Sequence, residues 1–423
     1  MSRKLSSECG KPELKSVAFS YLSSRKVWRS TEECPLSVLK GTSSIMRARK
    51  SFTSHACTQG CAMNGCEVAG PQVWLKDDAM NMQEEWAHVL TEPQIQELES
   101  AVLSILEGGR ASVADNYVHL SRDMSKADFP LPTLGPLLDQ VLNEVLEGRG
   151  FALIKGFPVE RWTRLQIVVA YYGIGLHWGK LRRQNKKAHL IGHVKDIGID
   201  PDYKDPSTRV YLTRAAQPYH VDSSDVVGLM CLKTAKEGGM SSWASSFAVY
   251  NEMLHTHPHL AKMLAEPIWY LDRKGEVPVG KQPHFMVPIV NIHQGYLSIY
   301  LNDGYYQLAQ RHADVPRMSQ DQEEALKVFI QLLSSEKFRV DYWLQPGDLQ
   351  ILNNHCCIHT RTAFIDFEEP GLKRHLLRLW AAPKKGWLLP DCFAEPYGGS
   401  TVIGDRGGIQ IQGFTDCIPL EAE

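Results

Sequence analysis

Apolar residues recur at helical spacing in a few segments of the chain. One such face lies between Thr91 and Gly108 and is preceded by the capping sequence Thr-Glu-Pro-Gln, which predicts the start of a helix. A second amphipathic segment covers residues 134–147 and ends at Gly148. Helical patterns also cover residues 249–264 and 320–333. We therefore expect helices on the outside of a protein whose remaining pattern is different.

The chain after Gly148 is dominated by short apolar runs bounded by turn-forming residues, which are typical of β-strands. These runs are residues 151–154, 190–194, 210–213, 226–232, 349–352 and 376–380, with a strand-like stretch at 287–300. Strands and helices do not alternate as they do in doubly wound folds, and there is no internal repeat. The pattern predicts a mainly β protein with flanking helices and a jelly-roll core.

The N-terminal segment has a different composition from the rest. Residues 1–75 are rich in Ser, Arg and Lys, and the stretch from Pro35 to Cys66 contains no Asp or Glu. This composition is typical of an organelle transit peptide, and it fits a disordered tail equally well. We predict that residues 1–75 lie outside the fold, that order begins near Thr91, and that residues 80–415 form a single domain.

Composition narrows the classes of partner. The chain has 423 residues, 43% of them hydrophobic and 22% charged, and a formal net charge of −2, with no basic stripe of the kind that binds nucleic acid. It contains no run of about 18 apolar residues that would span a membrane. We expect a small-molecule partner and a soluble protein of the cytoplasm, or of a mitochondrion or plastid if the N-terminal segment targets it; a homo-oligomer is compatible with the sequence.

The ten cysteines show no disulfide rhythm, which favours a reducing compartment. Cys57, Cys61 and Cys66 lie close to His55, but their spacing matches none of the usual zinc patterns. We do not expect a metal there. The run His255, His257 and His259 is interpreted as a solvated surface cluster, because those side chains would diverge on a helix.

A metal site is predicted elsewhere. His220 and Asp222 are two residues apart, so in a strand both side chains point to the same face. With a second histidine they would form the facial triad that is diagnostic of non-haem iron(II) oxygenases. His355 and His359 follow the predicted strand at 349–352 and share a face in a continuous strand, so both are candidates for the third ligand.

Two arginines, Arg374 and Arg378, share one face of the predicted strand at 376–380. A guanidinium inside an apolar strand is costly unless it meets an anion. Its planar fork suits a carboxylate, so a dicarboxylate co-substrate is the expected ligand, with a structural ion pair as the alternative.

The sequence resembles the taurine dioxygenase, clavaminate synthase and butyrobetaine hydroxylase group of 2-oxoglutarate-dependent oxygenases, from about Gly150 to Gly408. The resemblance rests on four stretches, namely residues 220–222 (His-Val-Asp), 236–241 (Lys-Glu-Gly-Gly-Met-Ser), 346–364 and 373–380. It implies a double-stranded β-helix that catalyses hydroxylation or another C–H oxidation of a small molecule. The cofactors implied are iron(II), 2-oxoglutarate and dioxygen, with ascorbate in support and succinate and carbon dioxide as co-products.

The same resemblance implies roles for individual residues. His220, Asp222 and His359 would hold the iron, and Arg374 would bind the distal carboxylate of 2-oxoglutarate. Ser241 stands where the family often has a threonine that donates to that carboxylate. Arg378 would complete the cofactor site, either facing the substrate pocket or neutralising a further carboxylate.

The substrate pocket is expected near four further residues, for each of which plain packing is the alternative. They are His177, Asn185, Tyr211 and Tyr219. The glycine-rich stretch at 404–408 is interpreted as a turn. Two other classes of protein compete with the oxygenase: a cupin-like metalloenzyme that does not use 2-oxoglutarate, and a non-catalytic jelly-roll binding protein.

Overall fold

The computed structural model describes residues 67–121, 123–200 and 205–423. The cysteine and histidine cluster at 55–66 and the rest of the predicted transit-like segment up to residue 66 lie outside the described residues. None of the helices in the described ranges is long and apolar enough to cross a membrane.

The helices of the described ranges mostly flank the sheets. They are α1 (Lys76–Asn81), α2 (Gln83–Trp86), α3 (Glu92–Glu107), α4 (Leu134–Glu147), α5 (Arg164–Trp178), α6 (Ser246–Thr256), α7 (Pro258–Met263), α8 (Tyr305–Ala309) and α9 (Gln320–Ser334), with 3₁₀ turns at Lys126–Asp128, Val210–Leu212 and Asp391–Ala394.

The strands are short. They are β1 (Ala87–Val89), β2 (Ala111–Ala114), β3 (Tyr117–Leu120), β4 (Phe151–Lys155), β5 (Lys180–Leu181), β6 (Ile191–Val194), β7 (Gln217–His220), β8 (Val226–Lys233), β9 (Glu237–Gly238), β10 (Ser241–Ser245), β11 (Tyr270–Asp272), β12 (His284–Met286), β13 (Val290–His293), β14 (Tyr296–Ile299), β15 (Val340–Tyr342), β16 (Leu349–Asn353), β17 (Cys357–Arg361), β18 (Phe364–Ile365), β19 (His375–Ala382) and β20 (Ile418–Pro419).

The larger of two main sheets has seven strands in the order β1-β4-β16-β8-β19-β5, with β6 also paired to β19. Its central strands are buried on both faces, since every residue of β16 and β19 is buried. Apolar residues of α3, α4 and α5 pack with one face of this sheet in a single cluster. The helices therefore cover its outer face and leave the inner face to the site.

The smaller main sheet has four antiparallel strands in the order β15-β10-β17-β7. Its apolar residues form a second cluster together with helices α6 and α9 and the inner face of the larger sheet. The functional cavity described below has walls from both sheets. The prediction of a mainly β fold with flanking helices is thus confirmed.

Most of the predicted elements are present, and α3 begins at the predicted capping box, in which the Thr91 backbone N–H donates to Gln94 Oε1 (3.0 Å). The start of order near Thr91 was placed too late, however. Trp74 and Trp86 are buried against Phe151, with ring centroids 5.0 and 5.2 Å away. Residues beyond 415 also pack, because β20 pairs with β3. The packed unit therefore exceeds the predicted limits at both ends.

Two local predictions were inaccurate, and a third, the strand-like stretch at 287–300, is confirmed as strand but is divided in two. Residues 210–212 form a 3₁₀ turn and not a strand. The helix expected at 249–264 is broken into α6 and α7, with Pro258 opening the second helix. The stretch at 287–300 is a hairpin of β13 and β14. Helix α5 was not predicted, because its buried residues occupy most of its circumference and no polar face marks the period.

Candidate metal and co-substrate site

Two antiparallel strands bring the histidines together. In the β7–β17 pair His220 is directly opposite His359, and their ring centroids are 4.1 Å apart. Asp222 follows two residues after His220, and Asp222 Oδ2 lies 3.8 Å from His359 Nε2. One ligand atom from each of the three side chains lies within 4.8 Å of the others. Within the described ranges, this is the one group of His, Cys, Asp or Glu side chains placed to hold a metal ion.

Hydrogen bonds orient these groups. His220 Nδ1 lies 2.9 Å from Pro218 O, a geometry in which Nδ1–H donates and Nε2 keeps its lone pair. Asp222 Oδ1 accepts from Arg378 Nη1 at 2.9 Å. Asp222 Oδ2 is buried and has no hydrogen-bond partner. A buried carboxylate oxygen without a donor beside two imidazoles is the donor set that a divalent transition metal would satisfy.

The protonation states also suit a metal. Burial lowers the pKa of His220, and burial together with the neighbouring His220 lowers the pKa of His359 to about 3. Burial raises the pKa of Asp222, but Arg378 and the two histidines outweigh it, so the pKa is lowered. Near neutral pH the site therefore presents two neutral imidazoles and one carboxylate, as metal binding requires.

The two rival histidines lie in different environments. His355 Nε2 lies 2.7 Å from Asp225 Oδ1 in a separate buried network, whereas His359 faces Asp222. The other histidine run stays at the surface, where His255 is exposed and paired with Glu67.

One part of the cavity is lined mainly by strand residues of the two main sheets, and we call it the inner compartment. Its lining residues are Leu229, Ser241, Gln350, Arg361, Arg374 and Leu376. Gly239 makes room for Arg374: its φ is +76°, and a Cβ there would lie 2.8 Å from Arg374 Nε. Arg374 Nη2 in turn contacts Gly239 O at 3.5 Å. The Lys-Glu-Gly-Gly-Met-Ser stretch thus shapes the wall beside this arginine.

Arg361 and Arg374 are both buried, and no carboxylate among the described residues lies within ion-pair distance of either guanidinium. Arg361 Nε and Arg374 Nη1 have no hydrogen-bond partner. Both guanidiniums lie over the Phe364 ring, at 4.8 and 5.2 Å from its centroid. Burial is the main cause that lowers the pKa of Arg361 to about 9 and that of Arg374 to about 10. Two desolvated guanidiniums with free donors form a potential binding site for an anion.

Arg378 has a different environment although it lines the same cavity. Its Nη1 donates to Asp222 Oδ1, and its Nε donates to Gln184 Oε1 at 2.8 Å. Its guanidinium lies between the rings of Tyr211 and Trp380, at 4.9 and 4.7 Å. Of its two expected roles, the structure favours neutralising a carboxylate, and that carboxylate is Asp222.

A second part of the cavity is lined mainly by loop residues, and we call it the outer compartment. Its lining residues include Arg209, Tyr211, Asp272, Arg273, Glu276, Tyr300, Asn302, Tyr305, Glu395, Pro396, Gly398, Gly408, Ile409 and Gln410. Its charges are matched to one another: Arg209 Nη1 lies 2.6 Å from Glu276 Oε2, and Arg273 pairs with Glu395. Tyr300 Oη lies 3.1 Å from Ser223 Oγ, next to Asp222.

Of the four residues expected at the substrate pocket, only Tyr211 lines the cavity. His177 Nε2 bonds Phe129 O on the helical side, so it is a core histidine. Asn185 bonds His189 within its own loop. Tyr219 alternates with His220 along β7, so it faces away and donates to Leu333 O.

The sequence reasoning missed several cavity residues. Arg361 carried a usable signal, since it is two residues after His359 on the same strand and therefore shares its face. Gln350 also carried a signal, since it is an amide within an otherwise apolar strand. In the structure its Nε2 has no hydrogen-bond partner. Arg209 and Glu276 carried no signal, because they are 67 residues apart and meet only in the folded chain.

A jelly roll whose interior presents two histidines and a carboxylate beside a potential anion-binding site defines the class of non-haem iron(II) oxygenases. Residues 116–380 match the family described as taurine catabolism dioxygenase TauD, TfdA family, and the chain belongs to this family. It is 28% identical over 331 residues to FR-33289 synthase of Streptomyces rubellomurinus, covering 76% of this chain and 92% of that protein. It is also 28% identical over 320 residues to the taurine hydroxylase-like protein SAT17 of Stachybotrys chartarum, covering 73% and 78%.

Solved structures share the fold. An asparagine oxygenase in complex with Fe(II), 3-hydroxyasparagine and succinate superposes with a TM-score of 0.50 at 14% identity, over 70% of this chain and 93% of that one. The non-haem iron oxygenase OrfP with Fe, succinate and (3S)-hydroxy-L-Arg gives 0.51 at 13% identity, over 75% and 99%. The predicted jelly-roll fold is thereby confirmed. Family membership confirms the predicted 2-oxoglutarate-dependent non-haem iron dioxygenase and disfavours both rival classes.

Proposed function

We propose that His220, Asp222 and His359 hold iron(II) in this dioxygenase. The observation that carries the proposal is the cluster of ligand atoms within 4.8 Å of one another, in which Asp222 Oδ2 is buried without a partner. When bound, iron and 2-oxoglutarate supply the oxidising power for C–H hydroxylation, with succinate and carbon dioxide as co-products. Three protein ligands leave coordination positions open for the co-substrate.

We assign the inner compartment to 2-oxoglutarate. Arg374 offers a free donor, since its Nη1 has no hydrogen-bond partner, and Arg361 supplies a second guanidinium over the same Phe364 ring. Ser241 is the strand partner of Arg361, which brings its hydroxyl to the same level of the cavity. A dicarboxylate would neutralise this anion-binding site with its distal carboxylate. Leu229 and Leu376 line the compartment and exclude water from it.

We assign the outer compartment to the primary substrate. Its wall combines aromatic rings with charged side chains that are already paired, as at Arg209 and Glu276. Such a wall fits a small polar molecule and offers no extended basic face to a polymer. The solved relatives named above hold hydroxylated amino acids, which are molecules of this size and polarity. Arg378 lines the same cavity and holds Asp222 in its orientation toward the iron position.

The test begins without a substrate. Purified protein is titrated anaerobically with iron(II) and 2-oxoglutarate, and the charge-transfer absorption of the chelate is followed. The expected result is a saturable band that His359→Ala abolishes. A screen of a metabolite library with dioxygen and ascorbate then identifies compounds that stimulate succinate release. Absence of the band, together with absence of succinate in every well, would overturn the proposal.

A further inference from the structure

A buried polar network lies behind the metal carboxylate and is not used by the chemistry assigned so far. Asp225, which is 1% exposed, accepts from Arg406 Nε at 2.9 and 3.0 Å. Arg406 is itself fully buried. Asp225 Oδ1 also lies 2.7 Å from His355 Nε2. This network is formed by the histidine that competed for the third ligand position and by the arginine of the glycine-rich turn at 404–408.

The network is joined to the metal site through residues 222–225, which we call the metal turn. Asn354 Oδ1 accepts from the Asp222 backbone N–H at 2.9 Å, and Asn354 Nδ2 donates to Ser224 O at 2.9 Å. The Asn354 backbone N–H donates to Asp225 O at 3.0 Å. The backbone of Asp222 is therefore fixed by the same buried groups that surround Asp225.

On its other side the network holds residues 395–410, which we call the C-terminal wall because six of them line the outer compartment. Gly408 N–H donates to Ser223 O at 2.7 Å, and Tyr397 Oη donates to Ser224 O at 3.1 Å. Gly407 has φ +86°, and a Cβ there would lie 3.1 Å from Ser223 O and from Ser224 Cα. The wall is thus bound directly to the metal turn, and glycine is needed at the point of closest approach.

We propose that Arg406 is a positioning residue that joins the C-terminal wall of the substrate compartment to the metal carboxylate through Asp225 and the metal turn. A pair this deeply buried is costly to break, because removal of one partner leaves the other charge uncompensated. The wall and the turn therefore keep one relative position. Iron that fixes the metal turn therefore also restricts the motion of the C-terminal wall. Because such coupling is reciprocal, a substrate that contacts the wall changes the affinity of the site for the metal. This inference rests on the proposed iron ligands.

The test uses cobalt(II), an oxygen-stable probe, with two readouts: its absorption spectrum for affinity and hydrogen exchange of peptides from residues 395–410. In the wild-type protein cobalt(II) should slow exchange in the C-terminal wall. Arg406→Gln should lower cobalt(II) affinity by roughly 10-fold to 100-fold, the usual effect of losing a group that orients a ligand, and should remove the protection. Arg406→Lys should restore part of both.

Arg182→Gln is the matched control. Arg182 also holds the glycine-rich turn at 404–408, since its Nε donates to Gly407 O at 2.8 Å, but it does not contact Asp225. In the Arg182→Gln protein the cobalt(II) affinity and the protection of the C-terminal wall from exchange should stay close to wild type. If Arg406→Gln does not fold, Tyr397→Phe tests the same connection and should give a smaller effect of the same sign.

Two results would overturn the inference. One is that cobalt(II) leaves exchange in the C-terminal wall of the wild-type protein unchanged. The other is that a folded Arg406→Gln or Tyr397→Phe protein binds cobalt(II) as tightly as the wild type. Failure of the metal assignment is distinguishable, because His359→Ala would then bind cobalt(II) as tightly as wild type.

Discussion

The two compartments of the cavity differ in whether their arginines are paired with carboxylates. In the inner compartment Arg361 and Arg374 are buried without a carboxylate partner among the described residues. In the outer compartment Arg209 and Arg273 are paired with Glu276 and Glu395. Strands of the two sheets build the first space, and loops build most of the second. Buried cations without partners fit an anionic co-substrate, whereas a wall whose charges are already paired needs no anion to neutralise it.

The largest effect should come from the three candidate metal ligands, which line the same cavity. We expect His220→Ala, Asp222→Ala and His359→Ala each to reduce 2-oxoglutarate turnover by at least about 1000-fold, or ~4 kcal/mol, since each removes one of three ligands. Succinate formation and bound iron are the measurements. His255→Ala, an exposed histidine, is the control. Normal iron content in any of the three variants would refute the ligand assignment.

The next largest effect should separate Arg374, which directly precedes β19, from Arg378 within that strand. Arg374→Ala should weaken 2-oxoglutarate binding by roughly 30-fold to 1000-fold, about 2 to 4 kcal/mol, because a charge-assisted bidentate contact is lost. Arg374→Lys should recover only part, since an ammonium cannot reproduce the fork. Anaerobic titration of the charge-transfer band measures both.

Arg378→Ala provides the contrast to Arg374→Ala. It removes the partner of Asp222 Oδ1, so we expect weakened iron binding and impaired use of the primary substrate, with 2-oxoglutarate affinity nearly intact once iron is saturating. If Arg378→Ala loses the co-substrate and Arg374→Ala keeps it, the assignment of the two arginines is reversed.

A third prediction compares stability across the compartments in the ligand-free protein. Arg374→Met should raise the free energy of unfolding by about 1 to 3 kcal/mol, because it replaces an uncompensated buried charge with an apolar chain. Arg209→Met should lower it by about 3 kcal/mol, because it leaves Glu276 buried and unpaired. Adding Glu276→Leu to Arg209→Met should recover most of that loss. Urea denaturation measures all three, and effects of equal sign would show that the compartments do not differ as described.

The smallest effect concerns Ser241. Ser241→Ala should weaken 2-oxoglutarate affinity by about 3-fold to 10-fold, the net contribution of one typical hydrogen bond, while Ser241→Thr should stay within about 2-fold of wild type. The titration of the charge-transfer band again provides the measurement. An unchanged affinity in the alanine variant would remove the hydroxyl from the co-substrate site.

The candidate metal ligands and the arginines of the cavity were partly predictable from sequence, because strand alternation assigns side chains to faces. The pairs His220 and Asp222, and Arg374 and Arg378, were read from spacing alone. Spacing could not decide between His355 and His359, because the β16–β17 connection interrupts the strand and turns His355 toward Asp225. The family resemblance, and then the structure, favoured His359.

The outer compartment was not predictable in the same way. Its walls come from loops that are distant in sequence, and no periodicity connects residues such as Arg209 and Glu276. Three of the four residues proposed for it point elsewhere. His177 illustrates the reason, because the helix that carries it has no polar face and its position could not be derived from a pattern.

The two arginines over Phe364 have a consequence for the stability of the folded chain. An anion that binds there binds the folded chain and not the unfolded one, so its concentration enters the folding equilibrium. At a hundred times its Kd, 2-oxoglutarate would add about 2.7 kcal/mol to the free energy of unfolding. If the two arginines hold 2-oxoglutarate as proposed, a lower concentration of the metabolite therefore leaves a larger fraction of the chains unfolded.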